Sequence, residues 1–249
     1  QYVNENTTHN NSTDISVNDI DISGDITQYL IKTSAGFAAI AMGYQTSASA
    51  YHSTAMGYKT SALGDYSTAM GYQTSAAGYS TAMGMSTAAT GYYSTAMGLQ
   101  TTAFGMTSTA MGKSTTASDT NSTAMGNLTS ASGSASTAMG ENTTASGTTS
   151  TAMGGDTTAL GTYSTAMGLN SIAGPEDYST AMGHDTTASG LASTAMGTGT
   201  IASNESSTAM GNTTTASGVK STAMGYDTTA HGTASTAMGM STLASQSYS

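Results

Sequence analysis

The sequence predicts an all-β protein: a parallel β-solenoid with two short strands per 14-residue coil and about fifteen coils. Three observations predict it. The first is a period. An Ala-Met-Gly triplet recurs with methionine at Met42, Met56, Met70, Met83, Met97, Met111, Met125, Met139, Met153, Met167, Met182, Met196, Met210, Met224 and Met238. Every step is 14 residues except one of 13 and one of 15. The second is composition within the unit, typically STAMGENTTASGTT, which carries glycine twice and is rich in Thr and Ser. Each such glycine costs a helix about 1 kcal/mol, so a helix is excluded. The third is an alternation of period two in each half of the unit, followed by Gly-x-x as a turn. Low-complexity Ser/Thr/Gly/Ala sequence is ordinarily disordered, but a strict period orders a chain by stacking neighbour on neighbour.

Two regions follow in chain order. Residues 1–34 form an N-terminal extension outside the repeat, and 35–249 form the repeat domain. In the extension, QYVNENTTHNNST is polar, while DISVNDIDISGDITQYLIKTS alternates Ile15, Val17, Ile20, Ile22 and Ile26 with polar residues and reads as one or two strands. It suits two roles: a cap over the open edge of the first coil, or an arm adding a strand to a neighbouring subunit.

Within a coil, alternation assigns the faces. In the first strand Ser, Ala and Gly share one side, and Thr and Met the other. In the second, the first Thr, Ala and Gly share a side opposite the second Thr and Ser. So short a coil has a thin interior that admits only the small side chains, with Gly at the closest backbone approach. Thr and Met of the first strand therefore point outward. Coils about 4.8 Å apart make fifteen of them a rod of about 70 Å bearing a methionine ladder along one face. A strip of that length is expected to pack against methionines of other subunits, with the flexible thioether filling gaps.

The turns vary most. The short coil at Ala76 to Ser80 and the long one containing Gly174, Pro175, Glu176 and Asp177 alter only a turn, since proline lacks the donor a ladder needs. Tyrosines recur there: Tyr44, Tyr58 and Tyr72 after Gly, and Tyr66, Tyr79, Tyr93, Tyr163 and Tyr178 before Ser. They form exposed ladders, read either as stiffening stacks or as a contact surface.

The stretch STAMGYKTSALGDYSTAMG, Ser53 to Gly71, and its fellows resemble the 14-residue head repeat of YadA-like trimeric autotransporter adhesins. The resemblance runs from about Ala35 to the C-terminus. It implies a left-handed parallel β-roll, three chains packed side by side, and display on a bacterial surface for adhesion. The family pattern has a β-branched residue, Ala, Ile and Gly where this chain has Thr, Ala, Met and Gly. No coiled-coil stalk or membrane-barrel segment follows the repeats in this sequence, so display by that route is not carried over.

Composition excludes much else. There is no Cys, hence no disulfide or thiol chemistry, and with 4 Lys, no Arg and a formal charge of −10 neither nucleic acid nor an anionic membrane is a suitable partner. No apolar run approaches the ~20 residues of a membrane-spanning helix. The start at Gln1 is read as a processed, exported chain, a truncated one being the other reading. His9, His52, His184 and His231 fall at unrelated points of the period and make neither triad nor metal site. Asp14, Asp19, Asp21 and Asp25 lack the spacing of known calcium loops. No metal, cofactor or catalysis is expected. Asn-x-Ser/Thr sequons stand at Asn6, Asn10, Asn11, Asn121, Asn127, Asn142, Asn204 and Asn212.

Two functions of different classes fit. One is an extracellular structural or adhesive surface protein that oligomerises through its methionine face as a trimer or head-to-tail polymer, a fibre subunit whose other partner is a host or neighbouring cell surface. The other is an ice- or mineral-binding solenoid using outward threonines of the pairs Thr143-Thr144, Thr157-Thr158, Thr186-Thr187 and Thr228-Thr229. That column breaks at Ser61-Ala62, Ser130-Ala131, Ile172 and Ile201.

Overall fold

A computed structural model of the chain describes residues 32–34 and 36–249. These residues wind into a parallel β-solenoid with two sheets. One sheet has 15 strands of five residues, from Ile40–Tyr44 to Thr236–Met240. The other has 16 strands of two or three residues, from Lys32–Ser34 to Leu243–Ala244. Every pairing is parallel and joins one coil to the next, so Ala96 lies beside Ala110 and Ala110 beside Ala124.

The interior follows from the alternation. Ser53, Ala55, Thr60 and Ala62 of one coil all point inward and are buried, and their equivalents repeat down the rod. Among the described residues nothing larger than threonine is fully buried. Two flat sheets connected by tight turns leave no room for more, as the sequence predicts. Some of the buried serines close the turns: Ser67 Oγ donates to Gly64 O at 2.6 Å, and Ser108 Oγ to Gly105 O at 2.6 Å, whereas among the described residues the Oγ atoms of Ser136, Ser150, Ser164, Ser193, Ser221 and Ser235 find no partner. Most of the threonine column is unsatisfied. Among the described residues the Oγ1 atoms of Thr60, Thr101, Thr143 and Thr214 find no partner.

With so little apolar volume inside, the backbone carries the order. The ladder runs on through the turns, where Lys59 N donates to Tyr44 O at 2.8 Å and Tyr66 N to Tyr51 O at 2.8 Å. The turns themselves rest on left-handed residues spaced seven apart, including Lys59 at φ 53°, Tyr66 at φ 55° and Leu128 at φ 55°. Among the described residues only Gly199, φ 60°, puts glycine at that place.

The glycine of Ala-Met-Gly serves another purpose. Gly126 has φ +129°, and a Cβ there would lie 2.0 Å from the carbonyl oxygen of Gly140. The close approach the sequence predicts is real, but it runs along the stack to the next coil. These first-strand glycines are not inside the roll, and Gly57 and Gly71 are exposed. Glycines of the second half, such as Gly105 and Gly147, are buried as expected.

Both irregular coils keep register. Ala69 pairs with Ala82 across the short coil and Ala166 with Ala181 across the long one, so the missing or extra residue is absorbed in the turn. The loop holding Pro175 follows strand Ile172–Ala173 and is entered by a cis Gly174–Pro175 bond. At the N-terminal end, strand Lys32–Ser34 pairs with Thr46–Ala48, so the short-strand sheet begins within the last residues of the extension. The extension's alternating residues Ile15, Val17, Ile20, Ile22 and Ile26 lie outside the described residues, as do His9, Asp14, Asp19, Asp21, Asp25, Asn6, Asn10 and Asn11.

Candidate interaction surface

The face of the long-strand sheet presents two columns. Thr123 and Met125 point outward from the strand Thr123–Asn127, on either side of buried Ala124. Met111, Met125 and Met139 are register partners, and the ladder is unbroken from Met42 to Met238. Each inner methionine is half-buried because its neighbours above and below cover it. Met42 and Met238, lacking one neighbour each, are 56% and 59% exposed. At about 70 Å by about 10 Å the face offers roughly 700 Å², close to what one partner contributes to a standard protein interface.

One flank of this face changes along the rod. The residue after each glycine runs Tyr44, Tyr58, Tyr72, Met85 and Leu99, then Lys113, Asn127 and Glu141. The N-terminal third thus has an apolar border and the middle a polar one.

The short-strand face is less regular. The structure splits each threonine pair: Thr143 is buried and Thr144 faces out, and Thr157-Thr158, Thr186-Thr187 and Thr228-Thr229 divide the same way. The outward column contains Ser61, Ala88, Ser130, Ile172 and Ile201 among its threonines. Beside it, Leu63, Phe104 and Leu160 stand exposed at the position that is serine in most coils. No single chemistry repeats along this side.

Strand ends and turns carry the aromatic ladders. Tyr44, Tyr58 and Tyr72 stack with ring centroids 5.0 Å apart at each step. On the opposite edge Tyr66 stacks on Tyr79 at 5.2 Å, and Tyr79 meets Tyr93 at 5.0 Å; a separate pair, Tyr163 and Tyr178, stacks at 5.4 Å. Phe37, Tyr51 and Tyr92 join the second edge, with Phe37 on Tyr51 at 5.3 Å and Tyr92 beside Tyr79 at 5.4 Å. Sequence reasoning missed these three because it followed one turn position, and they sit one residue upstream. Crowding raises the pKa of the Tyr79 phenol: desolvation first, then Tyr92, Tyr93, Tyr66 and Asp65 around it. Among the described residues Tyr226 and Tyr248 stack on no other ring.

The remaining polar candidates are dispersed. His52 lies against Tyr66 at 5.2 Å, His184 Nδ1 is 3.1 Å from Asp185 Oδ2, and His231 Nδ1 contacts Ser217 Oγ. Among the described residues no three His, Cys, Asp or Glu gather as a metal site. The sequon residues Asn121, Asn142 and Asn204 are exposed on turns, Asn212 is exposed at the end of strand Thr208–Asn212, and Asn127 is half-buried. All five are engaged: Asn142 Nδ2 donates to Asp156 Oδ1 at 2.6 Å, Asn204 Nδ2 to Ser217 O at 2.8 Å and Asn127 Nδ2 to Glu141 Oε1 at 3.5 Å, while Asn121 Oδ1 accepts from Thr107 Oγ1 and Asn212 Oδ1 from Thr213 Oγ1.

The chain matches the YadA head domain repeat (2 copies) eleven times, in overlapping segments from 34–60 through 105–129, then 131–157, 145–171, 176–200, 202–228 and 216–242. No curated protein matches it.

Proposed function

Because the chain belongs to the YadA head repeat family, a family of adhesin-like surface proteins, we propose that it is an extracellular structural or adhesive protein whose methionine-lined sheets pack together, making it a subunit of a fibre or filament. One observation carries this reading: fifteen in-register methionines, flanked by a threonine column, run the length of one flat face. Such a strip is large for a lone soluble chain and matches half of a standard interface. Cyclic packing of three rods buries all their ladders at once. The alternating strands of residues 1–34 would then join rods end to end, or cap them.

No constellation for catalysis accompanies this face, and the protein is read as non-enzymatic. The rival use, recognition of ice or a mineral, needs a regular outward threonine array. The insertions of Ala88, Ile172 and Ile201 weigh against it.

The test is mass in solution together with negative-stain imaging of the purified chain. Uniform fibres or three-chain rods about 70 Å long are expected. A monomer persisting at high concentration overturns the reading. Deleting residues 1–34 separates the roles of the extension: fibres that survive the deletion dismiss the arm.

A further inference from the structure

The chain contains 14 tyrosines and no cysteine, so it can form no disulfide. Its tyrosines are nonetheless arranged in pairs on neighbouring coils. Tyr58 lies 5.0 Å from both Tyr44 and Tyr72, Tyr66 lies 5.2 Å from Tyr79, and Tyr163 lies 5.4 Å from Tyr178. We infer that these ladders are sites of oxidative cross-linking, where a one-electron oxidant, such as a haem peroxidase with hydrogen peroxide, joins tyrosines of adjacent coils as dityrosine.

The chemistry balances as follows. Each of two phenols gives up one electron and one proton to become a phenoxyl radical. The radicals couple through ring carbons ortho to oxygen, forming one C–C bond, and each ortho carbon then loses its hydrogen to the phenoxyl oxygen, restoring both aromatic rings. The two electrons and two protons lost reduce one hydrogen peroxide to two waters.

The geometry favours that coupling. A C–C bond of about 1.5 Å between rings of about 1.4 Å radius places the joined centroids about 4.3 Å apart. From 5.0 Å the rings must close by less than 1 Å and rotate out of their stack. Tyr79 and Tyr93, at 5.0 Å and inclined by 34°, are already part-way. The rings are open to an oxidant, since they project from strand ends and turns and are 37% exposed at Tyr58 and 58% at Tyr178. Holding the second ring in place makes coupling within the chain far more probable than coupling between dilute chains. Each link would close a loop of a single coil and tie that coil to its neighbour, restraining its unwinding as a short disulfide loop would.

The setting for this chemistry rests on the extracellular reading above, but the coupling is tested on the chain alone. The full chain, diluted and with its mass already measured, is treated with a haem peroxidase and hydrogen peroxide. Dityrosine fluorescence should appear with a loss of two hydrogens per link. Digested peptides should join Tyr58 to Tyr44 or Tyr72, and Tyr163 to Tyr178. The Tyr58→Phe variant keeps its ring in the stack and should lose every link of its own ladder while the Tyr163–Tyr178 link persists. Absence of dityrosine, links chiefly between chains, or links at unstacked Tyr226 and Tyr248 as often as at the stacked pairs overturns the inference. Whether the chain is a monomer or an oligomer is read separately from the mass.

Discussion

At Gly126 two independent demands exclude every other residue. Its φ of +129° lies where side chains are strained, and a Cβ would sit 2.0 Å from the next coil's carbonyl oxygen. Gly126→Ala is therefore expected to cost about 3 kcal/mol or more in denaturant titrations. Gly239→Ala is the control. It shares the conformation, φ +114°, but its Cβ would meet only Thr242 Cγ2 at 3.7 Å, leaving strain of about 1–2 kcal/mol. A comparable loss at both sites would show that the close approach is not what matters. The buried threonines pose the opposite case. Thr143 Oγ1 has no partner among the described residues, so Thr143→Val should stabilise the roll by about 1 kcal/mol, seen as a higher Tm. A loss instead would mean that the hydroxyl is satisfied. Sequence reasoning located the glycines as places of close approach but not their direction, because alternation tells inside from outside and says nothing of the axis. The left-handed residues could not be read at all. Their identities, Lys59, Leu128, Thr149 and Tyr178 among them, share no chemistry, and the ladder alone imposes the conformation.

Among the elements, the five-residue strand was the most legible, since Thr-Ala-Met repeats without exception from Thr54 to Met238 and its alternation assigns both faces. The threonine pair of the short strand was legible in the same way, as one residue in and one out. The turns were legible only as tolerant places, and the short and long coils show how tolerant: register is regained at Ala82 and at Ala181. An inserted residue should thus have an effect that depends on where it falls. One residue added beside Ser134, in the turn after Gly133, should leave the circular dichroism unchanged and shift Tm by a few degrees at most. One added between Ala124 and Met125 shifts the rest of that strand by one place and sets methionine in the position of Gly126, where a Cβ would lie 2.0 Å from the carbonyl oxygen of Gly140. That variant should lose stability by several kcal/mol and expose local backbone to hydrogen exchange. Equal tolerance at both places would contradict the assignment of strand and turn.

As a whole the molecule is a rod in which each coil touches only the coils on either side, so stability accumulates coil by coil. The proposed interface can be challenged at that scale. Replacing Met125 and Met139 together by Asp places two like charges on the outer face without touching the interior, so the chain should fold and yet fail to associate, as measured by light scattering beside circular dichroism. Unchanged association would remove the methionine face from the proposal. The period made the rod legible from the sequence; the aromatic edges were only partly so, since Phe37, Tyr51 and Tyr92 stand at a turn position that other coils fill with unrelated residues such as Asp65, Gly78 and Thr120. The coil also has a mechanical meaning. Each stores 14 residues, about 48 Å of extended chain, in about 4.8 Å of axis. Pulled by its two ends, the rod should pay out coil after coil in steps of about 43 Å, lengthening nearly tenfold before the chain is taut. A single-molecule extension trace showing such repeated steps would make the protein a tether that yields under load without letting go, whereas one abrupt release would mean that the coils give way together.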